Sequence, residues 1–164
     1  MKTVPIARLR ELLDYNPKTG IFTRKVKVSQ NTKVGCIAGT KNEGYVAIRI
    51  DGVRYQAHRL AVAYVEGVFP LGQIDHKNGD QFDNSYSNLR HATHAENQQN
   101  RIVGVNNTSG YLGVTLIAKG NRWRASIRIN KAPVHLGYFG TPEEAHAAYR
   151  AAKAQLHTFN PVPR

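Results

Sequence analysis

From Ile74 to Asn100 the chain reads IDHKNGDQFDNSYSNLRHATHAENQQN. Two short apolar anchors, Ile74 and Leu89, bracket a stretch crowded with Asp, Asn, Ser and Gly. That pattern predicts a strand, a long ordered loop and a second strand. A helix is expected next, with Thr93 as N-cap and Glu96 three residues on as its capping-box partner. Asn97 falls in the first or second turn of that helix. The expected core is therefore a ββα unit over about residues 74–101.

Upstream, Ile6, Leu9, Leu12 and Leu13 recur at helical spacing. The helix should stop at Asp14-Tyr15-Asn16-Pro17-Lys18-Thr19-Gly20, a turn rich in breakers, before a strand over 21–26. Strands Tyr45–Ile50 and Val53–Ala57 flank Asp51-Gly52, the pair that a type I′ hairpin favours. Residues 57–66 read as a short helix burying Leu60, Ala61, Tyr64 and Val65. Cys36 reads as a small buried hydrophobe.

Downstream, Gly104–Gly110 (GVNNTSG) is the best linker. Residues 111–129, YLGVTLIAKGNRWRASIRI, predict two strands turning at Lys119-Gly120-Asn121. In the second strand Arg122, Arg124, Ser126 and Arg128 alternate with Trp123, Ala125, Ile127 and Ile129, which puts the arginines on one face. A third strand is expected over 134–139. Thr141-Pro142-Glu143-Glu144 then supplies an N-cap, a first-turn proline and a capping glutamate. The helix that follows carries Ala145, Ala148, Tyr149, Ala152 and Leu156 as its apolar stripe. That stripe can cover the apolar face of the sheet and leave the arginine face open.

The composition narrows the functional classes. Of 164 residues, 23 are Lys or Arg and 11 Asp or Glu, giving +12 at neutral pH. Such an excess favours a polyanionic partner, nucleic acid before membrane, since no basic amphipathic helix stands out. The longest apolar run is Leu60 to Val65, too short to span a bilayer. The opening MKTVPIARLRELL has no apolar h-region, so no secretory signal is expected and the protein is read as soluble and intracellular. One cysteine excludes an internal disulfide framework and a cysteine-built zinc site. Residues 1–104 carry 15 basic and 9 acidic side chains and residues 105–164 carry 8 and 2, so each part bears +6. Two small domains are expected, 1–103 and 111–160, joined by 104–110.

Cleaving a phosphodiester requires a base to activate water, neutralisation of the scissile phosphate, and stabilisation of the leaving oxygen. A hard divalent cation supplies the last two and needs only one or two protein oxygen ligands. Asp75 and Asn97 are of that type, and His76 is a base with an ordinary pKa near neutrality. Neighbouring strand residues face opposite sides, so Asp75 and His76 share a site only where the strand ends or bends. Asp80 and Asp83 read as loop-shaping residues. His91 and His94 are three apart and are taken as solvated or phosphate-facing.

Asp75-His76, with Asn88 twelve and Asn97 twenty-one residues after the histidine, resembles the HNH endonucleases. The likeness is greatest to phage and intron-encoded homing nucleases, in which asparagine replaces the last histidine of the name. YNPKTGIFTRK, GYVAIRIDGVRYQAHRLA and DHKNGDQFDNSYSNLR extend it over roughly residues 9–101. The resemblance implies a ββα-metal (His-Me finger) unit. It implies His76 as general base, Asp75 and Asn97 as ligands of Mg²⁺ (Mn²⁺ as the alternative), and Asn88 bonding across the loop to hold the histidine. Products with 5′-phosphate and 3′-hydroxyl ends follow from the same likeness. Arg59, beside His58, is expected either at the DNA backbone or in a packed helix start.

The second part is similar to the plant ethylene-response-factor (APETALA-type) DNA-binding domain. Tyr111-Leu112-Gly113-Val114, Arg122-Trp123-Arg124-Ala125, Ile127-Arg128 and Leu136-Gly137-Tyr138-Phe139 carry that likeness, with the Ala-rich helix, over about 109–158. Leu112, Thr115, Ile117 and His135 depart from the plant pattern, so its target sequence is not implied. Arg122, Arg124, Arg128, Lys131 and His135 are the expected DNA contacts. The whole reads as an α+β, metal-dependent endonuclease acting on double-stranded DNA, phage-encoded and working in the bacterial cytoplasm, with no membrane and no obligate protein partner. The alternatives are a DNA-binding regulator carrying a degenerate nuclease unit, and an RNA-directed protein.

Overall fold

A computed structural model of the chain describes residues 3–42, 44–99, 103–104, 107–129 and 132–157. The chain divides between Thr93 and His94 into two compact units.

In the first unit α1 (Ile6–Leu12) hands directly to β1 (Leu13–Asn16), which pairs antiparallel with β2 (Ile21–Arg24). The segment expected as a turn from Asp14 is thus strand up to Asn16, and only 17–20 turn. The reason is Tyr15, which is buried with its ring 4.5 Å from that of Phe22. β3 (Thr40–Asn42), β4 (Tyr45–Ile50) and β5 (Val53–Gln56) form a second antiparallel sheet in that order. Asp51 and Gly52 both have positive φ (47° and 78°), the signature of the expected type I′ turn.

Helix α2 (Ala57–Glu66) ends on Gly67, whose left-handed φ of 74° stops it. It buries Ala57, His58, Leu60, Ala61, Val62 and Ala63, and so lies within the core rather than on it. Val65, expected inside, is exposed, because the last turn emerges from the core before the glycine cap. Phe22, Leu9, Leu13, Ile48, Ile50, Leu60 and Val62 are the largest fully buried side chains. Cys36 is only partly buried. β6 (Gln73–His76) and β7 (Leu89–Ala92) then pair antiparallel, with a 3-10 turn at Tyr86–Asn88 closing the intervening loop.

The second unit begins with α3 (His94–Gln99). Its sheet has the order β10-β9-β8, from β8 (Val114–Ile117), β9 (Arg122–Ile129) and β10 (Ala132–Phe139), all antiparallel. α4 (Pro142–Leu156) starts with a complete capping box between Thr141 and Glu144 and lies against the sheet. Val114, Ala125 and Ala145 form the core, with Trp123, Phe139 and Ala148 packed around them. The helix stripe runs through Ala145 to Lys153, which is buried, while Leu156 is exposed. Residues 145, 149, 153 and 156 share one face by helical spacing, and Leu156 is exposed as the last residue of the helix. No helix of the described residues is long and apolar enough to cross a membrane.

Candidate active site

β6 ends at His76: the amide of Gly79 donates to the His76 carbonyl (2.9 Å) and turns the chain away. The strand thus ends at His76, with Asp75 and His76 both still in register against Arg90 and Leu89. Asp75 and His76 are buried at 5 % exposure, as are Asn84 (3 %) and Asn88 (8 %) on the loop that follows. Buried polar groups require partners, and these define the site.

The His76 ring is held on one side by Asn84, with Nε2 3.2 Å from Oδ1. The Asn84 amide nitrogen donates to the Phe82 carbonyl (3.2 Å), which makes Oδ1 the end turned toward the histidine. His76 therefore carries its proton on Nε2 when neutral, and Nδ1 is the basic nitrogen. On another side the ring of His58 stands edge-on at 5.0 Å, and Tyr45 lies 6.3 Å away. Tyr45 and His58 are themselves in contact at 5.3 Å. Burial lowers the pKa of His76 below its ordinary value, although Asn84 and the carboxylates of Asp75, Asp83 and Asp80 pull it upward. His58 is held down more strongly, to about 3, by burial and then by the charge His76 would carry. Both rings are neutral at neutral pH.

Asp75 faces Arg90 directly across the β6–β7 pair. Arg90 donates through Nε (2.8 Å) to Asp75 Oδ2, and its Nη2 lies 2.7 Å from the same oxygen. This pairing compensates a carboxylate that would otherwise be costly to bury. The loop between the strands is built by its own polar side chains. Asn88 accepts from the Asn78 amide (3.0 Å) and donates to the Asp83 carbonyl (2.8 Å), tying both arms of the loop together. It does bond across the loop, but the histidine itself rests on Asn84. Asp83 accepts from the amide and hydroxyl of Ser85 and from Asn78. Burial raises its pKa, and these hydrogen bonds outweigh that to hold it low. Asp80 accepts from the Phe82 amide, so both acids shape the loop as expected.

Support for the loop comes from far away in the chain. The Tyr15 hydroxyl donates to the Asn84 carbonyl (2.7 Å), the Tyr86 amide donates to the Pro17 carbonyl (2.9 Å), and Gln81 donates to the Tyr45 hydroxyl (3.1 Å). Asn84, Tyr15, Tyr45 and Arg90 are the residues that sequence reasoning missed. The first three had no visible signal, whereas an arginine opposite a strand aspartate was available from the expected β pairing.

Residues 55–99 match the HNH endonuclease family model. The HNH segment runs from β5 through α3 and contains Asp75, His76, Asn84, Asn88, Arg90 and Asn97. It supports a nuclease acting on DNA. No curated protein and no solved structure matches the chain.

The other expected site residues are placed as follows. Asn97 lies on α3 in the second unit. Arg59, in the HNH segment, donates to the carbonyls of Gly72 (2.8 Å) and Pro70 and stacks over Phe69, so it secures the loop that enters β6. His91 stands on β7, 2.9 Å from Glu66, and His94 starts α3, so the two do not share a helix. Arg122, Arg124 and Arg128 are exposed and alternate along β9 with the half-buried or buried Trp123, Ala125 and Ile127. His135 is exposed on β10 opposite Ser126, its ring 4.7 Å from that of Tyr138. Lys131 lies outside the described residues.

Among the described residues, no three His, Cys, Asp or Glu side chains cluster closely enough to hold a metal. A metal here would rest on few protein oxygens. An oxygen-donor set of a carboxylate and an amide, the types Asp75 and Asn97 each offer, suits a hard divalent cation that keeps several waters.

Proposed function

We propose that the chain is a metal-dependent DNA endonuclease of the HNH homing type. The observation that carries this reading is a buried His76 held by Asn84 and next to the buried Asp75 at the end of β6, within the residues that match the HNH endonuclease family model.

His76 Nδ1 takes a proton from water as the water oxygen bonds to phosphorus and the P–O3′ bond breaks. Asn84 keeps Nε2 protonated, so the ring takes the proton at Nδ1 and becomes imidazolium with Nε2 still donating to Asn84. Burial holds the ring neutral beforehand, which is the state a base needs. Asp75 and Asn97 would hold the divalent cation, which when bound supplies charge neutralisation at the phosphate and at the leaving oxygen. Arg122, Arg124, Arg128 and His135 hold the duplex through the second unit's sheet, as the likeness to ethylene-response-factor domains suggests, and Lys131 is a further contact on the same likeness. Arg59 is a further proposed contact to the DNA backbone. Affinity drawn from phosphates weakens as salt rises.

Supercoiled-plasmid cleavage with Mg²⁺, Mn²⁺ or EDTA tests the reading, comparing wild type with His76→Ala and Asn97→Ala. Open-circle product that depends on metal and is lost in both variants is expected. Cleavage undiminished in His76→Ala overturns the mechanism. The engagement of Asp75 by Arg90 favours one second reading, a DNA-binding regulator with a degenerate nuclease unit. Metal-independent DNA binding with no cleavage by wild type selects it.

A further inference from the structure

Arg49 on β4 and Arg54 on β5 face each other directly in the hairpin register. Both are exposed. Facing side chains on antiparallel strands have Cβ atoms about 4.5–5.5 Å apart, and like charges at that spacing destabilise the sheet. A third cation joins them, since the Arg24 guanidinium sits 3.4 Å from the Arg49 carbonyl oxygen.

Local acids do not relieve this repulsion. Asp51, at the hairpin tip, is held by Arg8, which also takes Glu11. Among the described residues, neither Arg49 nor Arg54 has a carboxylate within ion-pair distance. Uncompensated cations at a directly paired position mark a surface made for an external polyanion.

Their position says which one. Along β4, residues 45, 47 and 49 share one face of the strand. Tyr45 on that face reaches the His76 ring. Arg49 is four residues further along, about 13 Å at ordinary strand rise. A duplex strand covers that distance in about four nucleotides at its axial rise of about 3.4 Å per residue. Between them stands Ala47, a small, buried side chain in register with Thr40 on one side and Gln56 on the other.

We propose that Arg49 and Arg54 form a phosphate clamp on this sheet face, holding the DNA backbone a few nucleotides from the bond presented to His76. The proposal rests on the nuclease reading for the meaning of His76, but its test does not require cleavage. The full chain is titrated with a random-sequence 30-base-pair duplex in EDTA, over about 50–200 mM salt. Arg49→Gln and Arg54→Gln are each expected to lower the slope of log affinity against log salt by about 1. Arg49→Lys keeps the charge and is expected to keep the slope. Because each Gln variant removes like-charge repulsion, its melting temperature is expected to equal or exceed that of wild type, which separates lost contact from lost fold. Wild-type slopes in both Gln variants overturn the clamp and leave the nuclease reading intact. Wild type that binds but never cuts overturns the nuclease reading and leaves the clamp. Wild type that does not bind the duplex overturns both.

Discussion

Gly20 lies against the backbone of Asn84. A Cβ built on Gly20 would stand 2.3 Å from the Asn84 carbonyl carbon and 2.4 Å from the Ser85 nitrogen, and Gly20 has a φ of +72°. Two unrelated sites on the chain, the β1–β2 turn and the loop that orients His76, are thus in backbone contact. Gly20→Ala is expected to cost about 2–4 kcal/mol, from overpacking against main chain and from a left-handed alanine. Urea unfolding measures it. A stability within 0.5 kcal/mol of wild type, a span on the order of an ordinary surface change, would show that the loop does not depend on this contact.

Asn84→Ala removes the acceptor that fixes the tautomer and the ring of His76. A general base contributes about 10²–10⁴ to rate, and an unoriented one keeps only part of that. The turnover rate at saturating DNA is expected to fall by about tenfold to a hundredfold, less than in His76→Ala, with DNA affinity retained. Single-turnover cleavage beside a binding titration separates the two. An unchanged rate would remove Asn84 from the mechanism.

Acid should destabilise the first unit before most carboxylates titrate. His58 has a folded pKa of about 3 against an ordinary 6.5, chiefly through burial. Between those values the unfolded chain binds the proton and the folded one does not. Stability is therefore greatest above pH 6.5 and declines as pH falls toward 3, by at most about 1.4 kcal/mol per unit for one such group. His76, also lowered, acts in the same direction. His58→Phe is expected to reduce the loss between pH 7 and pH 5 by on the order of 1–2 kcal/mol. Identical losses in the two proteins would contradict this.

Arg90→Ala leaves the buried Asp75 carboxylate without its cross-strand cation. Removing one partner of a buried ion pair costs about 3–5 kcal/mol. The variant is expected to melt well below wild type. Thermal unfolding checks it, and a melting temperature equal to that of wild type would show that this pair does not carry the stability.

Much of this was legible in the sequence, and the parts that were not share a cause. The Asp51-Gly52 hairpin and the bounds of α2 follow from local signals, a turn pair and a glycine stop. The Thr141–Glu144 cap is equally local. Asp75 and His76 stood out by spacing, and the structure buries both at a strand end. β1 was not visible, because Leu13-Asp14-Tyr15-Asn16 becomes strand only when Tyr15 finds Phe22 and the loop at Asn84. β3 (Thr40–Asn42) has no apolar alternation at all. The role of Asn84 depends on partners from other segments, Tyr15 lying 69 residues away. Long-range contacts of this kind leave no periodicity to read.

The buttressing of the His76 loop also bears on how such a nuclease can be moved between proteins. The stretch that matches the HNH family model begins at residue 55. The groups that brace its loop, Tyr15, Pro17, Gly20 and Tyr45, all precede that point. A graft of the motif alone would carry the reactive side chains without the surfaces that aim them. The transplantable cassette has to begin before β1, and a recombination joint inside the first fifty residues would separate the chemistry from its mould.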